Sequence, residues 1–412
     1  MGSATLALGL CGCGGMGRRH ILGLRKLRGI GRLQGDLIAV CDPDPTNADR
    51  AAALAAELLG RRPRVFDDVA ALRHAVPELD AVTVATAPDL HLSLGLAALE
   101  AGLHVLMEKP IALTVRQGQQ LVEAARARQR RLAVAENYRR DPLNRLAKAI
   151  TDAGGVGQPF LAIQSSSGSG ESLIISAWRH RRQSGGIIMD MGVHYADLLE
   201  YYLGPVESVV GMNAVVDRER RDDRGAVHVA DAEDLSVGVA RFRSGALANW
   251  VLSLAGRGAG HFSRLIYGTG GSLSIPADRT GRPLQLVRRD AGRDMTVDER
   301  DQLALVPAFA LDDTTAALFG GDRLTSYDLA WADIDANLLA IEQDDFMQAI
   351  LQDRAPEVTG ADGVRSLALV YAFLESERLG RIVRMDEMLG GAAMPYQSEI
   401  ASADRAVTNG KG

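Results

Sequence analysis

Lys109, Asp190 and His194 are the side chains of this 412-residue chain best suited to moving a proton. Lys109 stands in Glu108-Lys109-Pro110, just after an apolar run, where the proline cannot continue a strand and biases the lysine to an extended backbone. A lysine held there, with its pKa lowered by partial burial, can hydrogen-bond a substrate hydroxyl and take or give its proton. The alternative is a solvated lysine paired with Glu108. Asp190 and His194 are four apart in Gly185-Gly186-Ile187-Ile188-Met189-Asp190-Met191-Gly192-Val193-His194, and Asp197 is three further on, so all three share one helical face. A histidine with a carboxylate one turn away is a candidate general base, oriented and tuned by that neighbour. The triplet could also ligate a metal, but two carboxylates and one histidine are a generic set, and no metal is expected. A structural polar helix face is the stronger rival. Gly192 costs that helix about 1 kcal/mol against alanine, which implies close approach of something to its backbone.

Other residues would bind rather than react. Gly12-Cys13-Gly14-Gly15-Met16-Gly17 follows the apolar run Leu6 to Cys11 and opens a helix-compatible segment near Arg18. Strand, glycine loop and helix start form a pyrophosphate cradle, with the phosphates against free N–H groups at the helix N-terminus. Among 44 glycines the spacing alone says little; the strand context strengthens it. Asp42 ends the second apolar run, Leu37 to Cys41, and is placed to accept from ribose hydroxyls. Its charge repels a 2′-phosphate, and Pro43-Asp44 offers no cation to receive one, so NAD is favoured over NADP. Asp42 can also cap the next helix. Thr86-Ala87-Pro88 and His91 fall at the carboxyl end of a fourth strand, where open α/β sheets bind ligands. His91 reads first as a polar residue of a helical first turn.

The elements that must position these groups divide the chain in two, as its length leads one to expect. Up to about residue 140, short apolar runs alternate with helical stretches: strands at 64–66, 81–85, 104–107 and 132–135, helices near 47–59, 68–76, 89–101 and 115–128. This is the rhythm of a doubly wound parallel sheet, a Rossmann domain over 1–140. A helix near 143–153 follows. The rhythm then changes to β-rich segments at 159–166, 206–216, 235–243, 246–254 and 263–267 with turns at Ser244-Gly245 and Gly268-Thr269-Gly270-Gly271. A largely antiparallel open sheet flanked by helices, an α+β domain over 141–389, is expected. The stretch 290–333 reads as a long irregular loop, functional or an oligomer contact; 334–351 reads as an amphipathic helix and 363–379 as a helix packing near the first domain. The tail 390–412 reads as mobile.

Composition excludes several function classes. The net charge of -6 argues against a nucleic-acid partner, which needs a basic face. No run approaches the eighteen apolar residues of a membrane span, and no signal peptide opens the chain. Cys11, Cys13 and Cys41, the only cysteines, stand at strand ends without finger spacing and read as small buried thiols in a reducing compartment. A soluble, cytoplasmic protein is expected.

The ordered combination of the glycine loop ending at Gly17, Asp42, Glu108-Lys109-Pro110 and Asp190-x-Gly192-x-His194-x-x-Asp197 resembles the Gfo/Idh/MocA oxidoreductases, named for glucose-fructose oxidoreductase and inositol dehydrogenase. The resemblance runs from about Leu6 to Met385. It implies that the glycine loop holds NAD or NADP and that Lys109, Asp190 and His194 contact the reacting hydroxyl, with His194 favoured as proton acceptor and Lys109 stabilising the alkoxide. It places Thr86, Pro88, His91, Glu108, Asn137, Trp178 and Arg179 along the cofactor, and Tyr138 and Arg179 also against the substrate. The expected activity is hydride transfer between NAD and a secondary hydroxyl of a sugar, glycoside or cyclitol, with a lean to C3 of a glucoside, in a homo-oligomer, dimer or tetramer, built on the C-terminal sheet. The alternatives are a glycoside-cleaving enzyme that oxidises transiently, and a non-catalytic NAD-binding regulator.

Overall fold

The computed structural model describes residues 5–400. Its first half alternates β1 (Leu6–Cys11), α1 (Gly15–Gly29), β2 (Gly35–Cys41), α2 (Pro45–Leu59), β3 (Arg64–Phe66), α3 (Val69–Ala75), β4 (Ala81–Val84), α4 (His91–Glu100), β5 (His104–Glu108), α5 (Val115–Ala127) and β6 (Leu132–Ala135). The strands form one parallel sheet in the order β3-β2-β1-β4-β5-β6. Runs such as Leu37 to Cys41 and Val105 to Met107 are buried because helices cover both faces, which is why these strands lack alternation. The order reverses between β1 and β4, so the crevice at their carboxyl ends lies beside the glycine loop.

The second half runs α6 (Pro142–Asp152), β7 (Pro159–Ser169), α7 (Gly186–Leu203), β8 (Val206–Ala214), β9 (Glu219–Arg221), β10 (Val227–Val229), β11 (Leu235–Phe242), β12 (Leu247–Gly256), β13 (His261–Gly268), β14 (Gly271–Ser274), β15 (Gln285–Asp290), β16 (Arg293–Val297), α8 (Glu299–Leu305), α9 (Asp313–Phe319), α10 (Trp331–Leu351), α11 (Gly360–Leu379), β17 (Val383–Arg384) and α12 (Met385–Leu389). Nine strands form a sheet ordered β16-β15-β14-β13-β7-β12-β11-β8-β17, antiparallel except for the parallel pair β7 and β12. Helices α7 and α11 cover one face. Trp250 of β12 stacks on Phe373 of α11 at 5.0 Å, and Phe373 leaves no room for a Cβ at Gly211 or Gly238.

Second-domain helices also close on the first domain. Helix α10 crosses α1 at Gly23, where a Cβ would lie 2.5 Å from Gln343 Nε2, and α11 reaches β6 at Gly363, where one would lie 2.6 Å from Val134. Thr359 and Asp362 form a reciprocal capping box that fixes where α11 starts.

Three expectations are corrected. Residues 290–333 are not a single irregular loop: they carry β16, α8 and α9, and the longest irregular connection left is 320–330; the Asp298 and Asp312 side chains cap the two helices. Helix α10 is buried around most of its circumference, including Asp335, Glu342, Gln343 and Asp344, because it is wedged between domains and not laid on a surface. Residues 390–400 are packed: Tyr396 and Ile400 join the core, and Gln397 Oε1 accepts from Val115 N at 2.8 Å. The remainder of the expected tail, and the first four residues, lie outside the described residues.

Candidate active site

The glycine loop has the shape its spacing implies. Gly12 sits at φ 91° with a Cβ position 2.7 Å from Ala85 O, and a Cβ on Gly17 would lie 1.9 Å from Gly12 O, so only glycine fits either place. Gly14 and Gly15 face open space with nothing within 4 Å. Their backbone therefore forms an approachable cradle at the N-terminus of α1, and a bound dinucleotide fits it. Asp42, just past β2, accepts from Cys13 N at 2.7 Å and Asp44 N at 2.9 Å, which fixes its carboxylate beside the loop. The N-cap of α2 is instead Asp44. Burial, with Asp42 and Cys41 nearby, pushes the Cys13 thiol up to about 12, so it is no nucleophile.

Lys109, at the carboxyl end of β5, meets α7 across the domain boundary. Its Nζ donates to Asp190 Oδ1 at 2.9 Å and to Asp190 O at 3.0 Å. The second carboxylate oxygen accepts from Arg179 Nε at 2.9 Å; Arg179 Nη1 donates to Ser176 Oγ at 2.7 Å, and its guanidinium stands 4.3 Å from the Trp178 ring centre. Burial opposes ionisation of Asp190, but the two cations outweigh it and hold the carboxyl down at about 2.

His194 is oriented from the first domain and not by its own helix. Its Nδ1 lies 2.7 Å from Glu136 Oε1 and 2.8 Å from Oε2. Burial pushes the Glu136 carboxyl up, but His194 more than reverses it, so the ionised carboxylate accepts the Nδ1 proton and leaves Nε2 as the free basic nitrogen. Tyr138 stacks on the imidazole at 4.0 Å with 6° between planes. Glu136 was absent from the residues singled out in the sequence. Its signal was available: Glu108 pairs with Ala135 in register, so Lys109 and Glu136 end neighbouring parallel strands side by side.

Other predicted residues are placed differently. Asp197, expected on the same helical face as Asp190 and His194, is held by Arg139 through two hydrogen bonds and takes no part in the Lys109 contact. Gly192 is small because a Cβ there would lie 3.3 Å from Trp250 and 3.1 Å from Val370, a core contact and not a ligand. His91 is fully buried, with Nδ1 2.8 Å from Pro110 O and Nε2 3.2 Å from Thr86 O; it ties two cofactor-side loops together and does not line the cleft. Pro88 is buried as well. Glu108 points behind the sheet, to His20 Nε2 at 2.9 Å and Lys109 N at 3.1 Å. Asn137 Oδ1 accepts from Arg279 Nη2 at 2.9 Å, a second-domain partner the sequence reading did not name.

The chain matches the model of an oxidoreductase family's NAD-binding Rossmann fold over residues 6–136 and that family's C-terminal alpha/beta domain over residues 164–385. It is 28% identical over 385 residues to the 1,5-anhydro-D-fructose reductase of Ensifer adhaerens, covering 92% of this chain and 98% of that protein. It is 27% identical over 316 residues to the myo-inositol 2-dehydrogenase of Thermotoga maritima, covering 76% and 82%. The crystal structure of an NAD binding oxidoreductase from Klebsiella pneumoniae superposes with a TM-score of 0.76 at 26% identity over 93% of this chain and 99% of that one.

Proposed function

The chain belongs to the Gfo/Idh/MocA oxidoreductases, a family of NAD-dependent sugar and cyclitol dehydrogenases, and from that premise we propose that Lys109, Asp190 and His194 assist hydride transfer to NAD from a secondary hydroxyl of a pyranose ring, at C3 of a glucoside. The observation that supports it is that Lys109 and Glu136, side by side past β5 and β6, hold Asp190 and His194 of the one helix α7, while the open cradle of Gly14 and Gly15 follows β1 of the same sheet. NAD bound in that cradle supplies the hydride acceptor. Lys109 donates a hydrogen bond to the substrate oxygen and stabilises it as the alkoxide forms. His194 Nε2 takes the hydroxyl proton, and Glu136 stabilises the resulting imidazolium through Nδ1. Asp190 holds Lys109 and Arg179 together through its two carboxylate oxygens. Polar groups of this density suit a hydroxyl-rich ligand, since each buried donor and acceptor needs a partner.

The quaternary reading follows from the open sheet face. Val210 and Met212 of β8 lie opposite Val239 and Val237 of β11, and all four are exposed, opposite the face that α11 covers. A second copy of this sheet would bury them, giving a dimer or a dimer of dimers. Among the described residues no helix is long and apolar enough to cross a membrane. Three free buried thiols suit the cytoplasm.

Incubating the protein with NAD and a panel of glucose, glucosides and inositols, and following NADH absorbance, tests the activity. Turnover of glucosides with a 3-keto product supports the reading. Turnover of inositols alone moves the substrate class, and glycoside cleavage without net NADH replaces it with transient oxidation. Lys109→Ala and His194→Ala are each expected to lose about 100-fold or more in kcat while NADH still binds.

A further inference from the structure

We infer that Arg279 is a positioning residue for His194, acting through the Asn137-Tyr138 turn; the inference rests on His194 being the proton acceptor proposed above. Arg279 lies between β14 and β15 at φ 63°, a left-handed conformation that costs a non-glycine residue about 1 kcal/mol or more. The turn is held from every side. Asp278 is gripped by Arg264 Nη1 at 2.8 Å and Nη2 at 2.9 Å and by Asn144 Nδ2 at 2.8 Å. Arg279 N donates to Asp141 Oδ2 at 3.1 Å, and the Tyr327 hydroxyl donates to the same oxygen at 2.7 Å. Tyr327 N donates to Gly281 O at 3.0 Å, and a Cβ on Gly281 would come within 1.9 Å of Tyr327 O. So many constraints put a strained arginine in one place.

That place is the domain boundary at the catalytic histidine. Arg279 Nη2 donates to Asn137 Oδ1 at 2.9 Å, Nη1 lies 3.0 Å from Asp335, and the guanidinium stands 5.3 Å from the ring centre of Tyr138, the ring stacked on His194. The ion pair with Asp335 does not by itself fix its direction, because Asp335 is already held by both Arg19 Nε and Nη2. The side chain is only 12% exposed, and its Nε has no protein partner. A largely buried guanidinium is thus placed with one nitrogen on Asn137, the other on Asp335, and its carbon 5.3 Å from the Tyr138 ring centre. Glu136 selects the tautomer of His194, yet one hydrogen-bonded edge leaves the ring free to tilt. The Tyr138 stack removes that freedom, and Arg279 keeps Tyr138 in place. Displacing a proton acceptor by about 1 Å costs on the order of 100-fold in rate, so the effect falls on kcat.

The test uses the full chain, with NAD and whichever sugar or polyol it turns over. Arg279→Met is expected to lower kcat about tenfold or more with the KM for NAD unchanged, Arg279→Lys to fall between, and added guanidinium to restore part of the Arg279→Met loss. A tenfold rise in the KM for NAD with kcat intact would make Arg279 a cofactor ligand and overturn the inference, as would wild-type kinetics in both variants. Should Arg279→Met not fold, Arg279→Lys carries the test, since it keeps the charge and loses the fork. His194→Ala run in parallel separates the two layers. If it is inactive while both Arg279 variants behave as wild type, only this inference fails; if it turns over fully, the reading of His194 falls, and this inference with it.

Discussion

Glu136 accepts the Nδ1 proton of His194 at 2.7 Å across the boundary between the two domains. The Rossmann domain therefore supplies the cofactor cradle, the lysine and also the carboxylate that decides which nitrogen of the second-domain histidine is basic. Substrate oxidation needs both domains in register, and the wedge of α10 against α1 keeps them there.

Replacing Glu136 by Gln keeps the size and removes the charge. A neutral amide can donate to Nδ1 and drive the ring proton to Nε2, the nitrogen that must be bare. We expect kcat to fall at least about 100-fold, with NADH affinity unchanged by fluorescence titration. A loss under threefold would mean that His194 does not need this partner.

The glycine loop separates into two kinds of position. Alanine at Gly14 or Gly15 meets no protein atom, so the variants should melt like the parent while their methyl groups occupy the cradle and raise the Kd for NADH. Alanine at Gly17 would drive Cβ to 1.9 Å from Gly12 O and should lower Tm whether or not cofactor is present. Differential scanning fluorimetry with and without NADH distinguishes them. Equal destabilisation by both kinds would contradict this division.

Asp190 contributes a pH-dependent stability with a defined sign. Its carboxyl is held at about 2 against an ordinary 3.8, so the folded state releases that proton more readily than the unfolded one. The stabilisation, about 2 kcal/mol from that displacement, is complete above pH 4 and vanishes as the pH falls through 2. Asp190→Asn, which also leaves Lys109 and Arg179 without their anion, should be less stable than the parent at pH 7. The gap in urea midpoints should narrow between pH 4 and pH 2. A gap constant over that window would show that the ion pair contributes nothing.

Local patterns in the sequence were enough for the parallel sheet and the glycine loop, because continuous apolar runs and turn chemistry act within a few residues; Lys109 and Asp190, 81 positions apart, were grouped only by the family resemblance. Contacts between distant segments were not legible. His194 was assigned a carboxylate on its own helix, where spacing offers Asp190, but that oxygen pair is consumed by Lys109 and Arg179. The partner comes instead from the end of β6, 58 positions away in the chain. Likewise 290–333 lacked strong periodicity because α8 and α9 are only seven residues each and take their starts from aspartate caps. Helix α10 looked amphipathic because its buried polar residues, among them Asp335 and Gln343, face first-domain groups that no local window contains.

Glu342 yields the last prediction. It is fully buried on α10, both carboxyl oxygens lack a protein partner, and its Oε1 faces His20 Nδ1 at 3.9 Å, with Glu108 on the far side of that ring. Burial, reinforced by Glu108, pushes its carboxyl well above the ordinary value, so the folded protein holds a proton there that the unfolded chain releases near pH 4. Stability is then unaffected by this group below about pH 4 and erodes as the pH rises towards the raised value. Glu342→Gln mimics the protonated acid and removes that slope. Its Tm should match the parent near pH 4 and exceed it at pH 8. A variant less stable than the parent at pH 8 would mean that Glu342 is ionised and stabilised in the folded state.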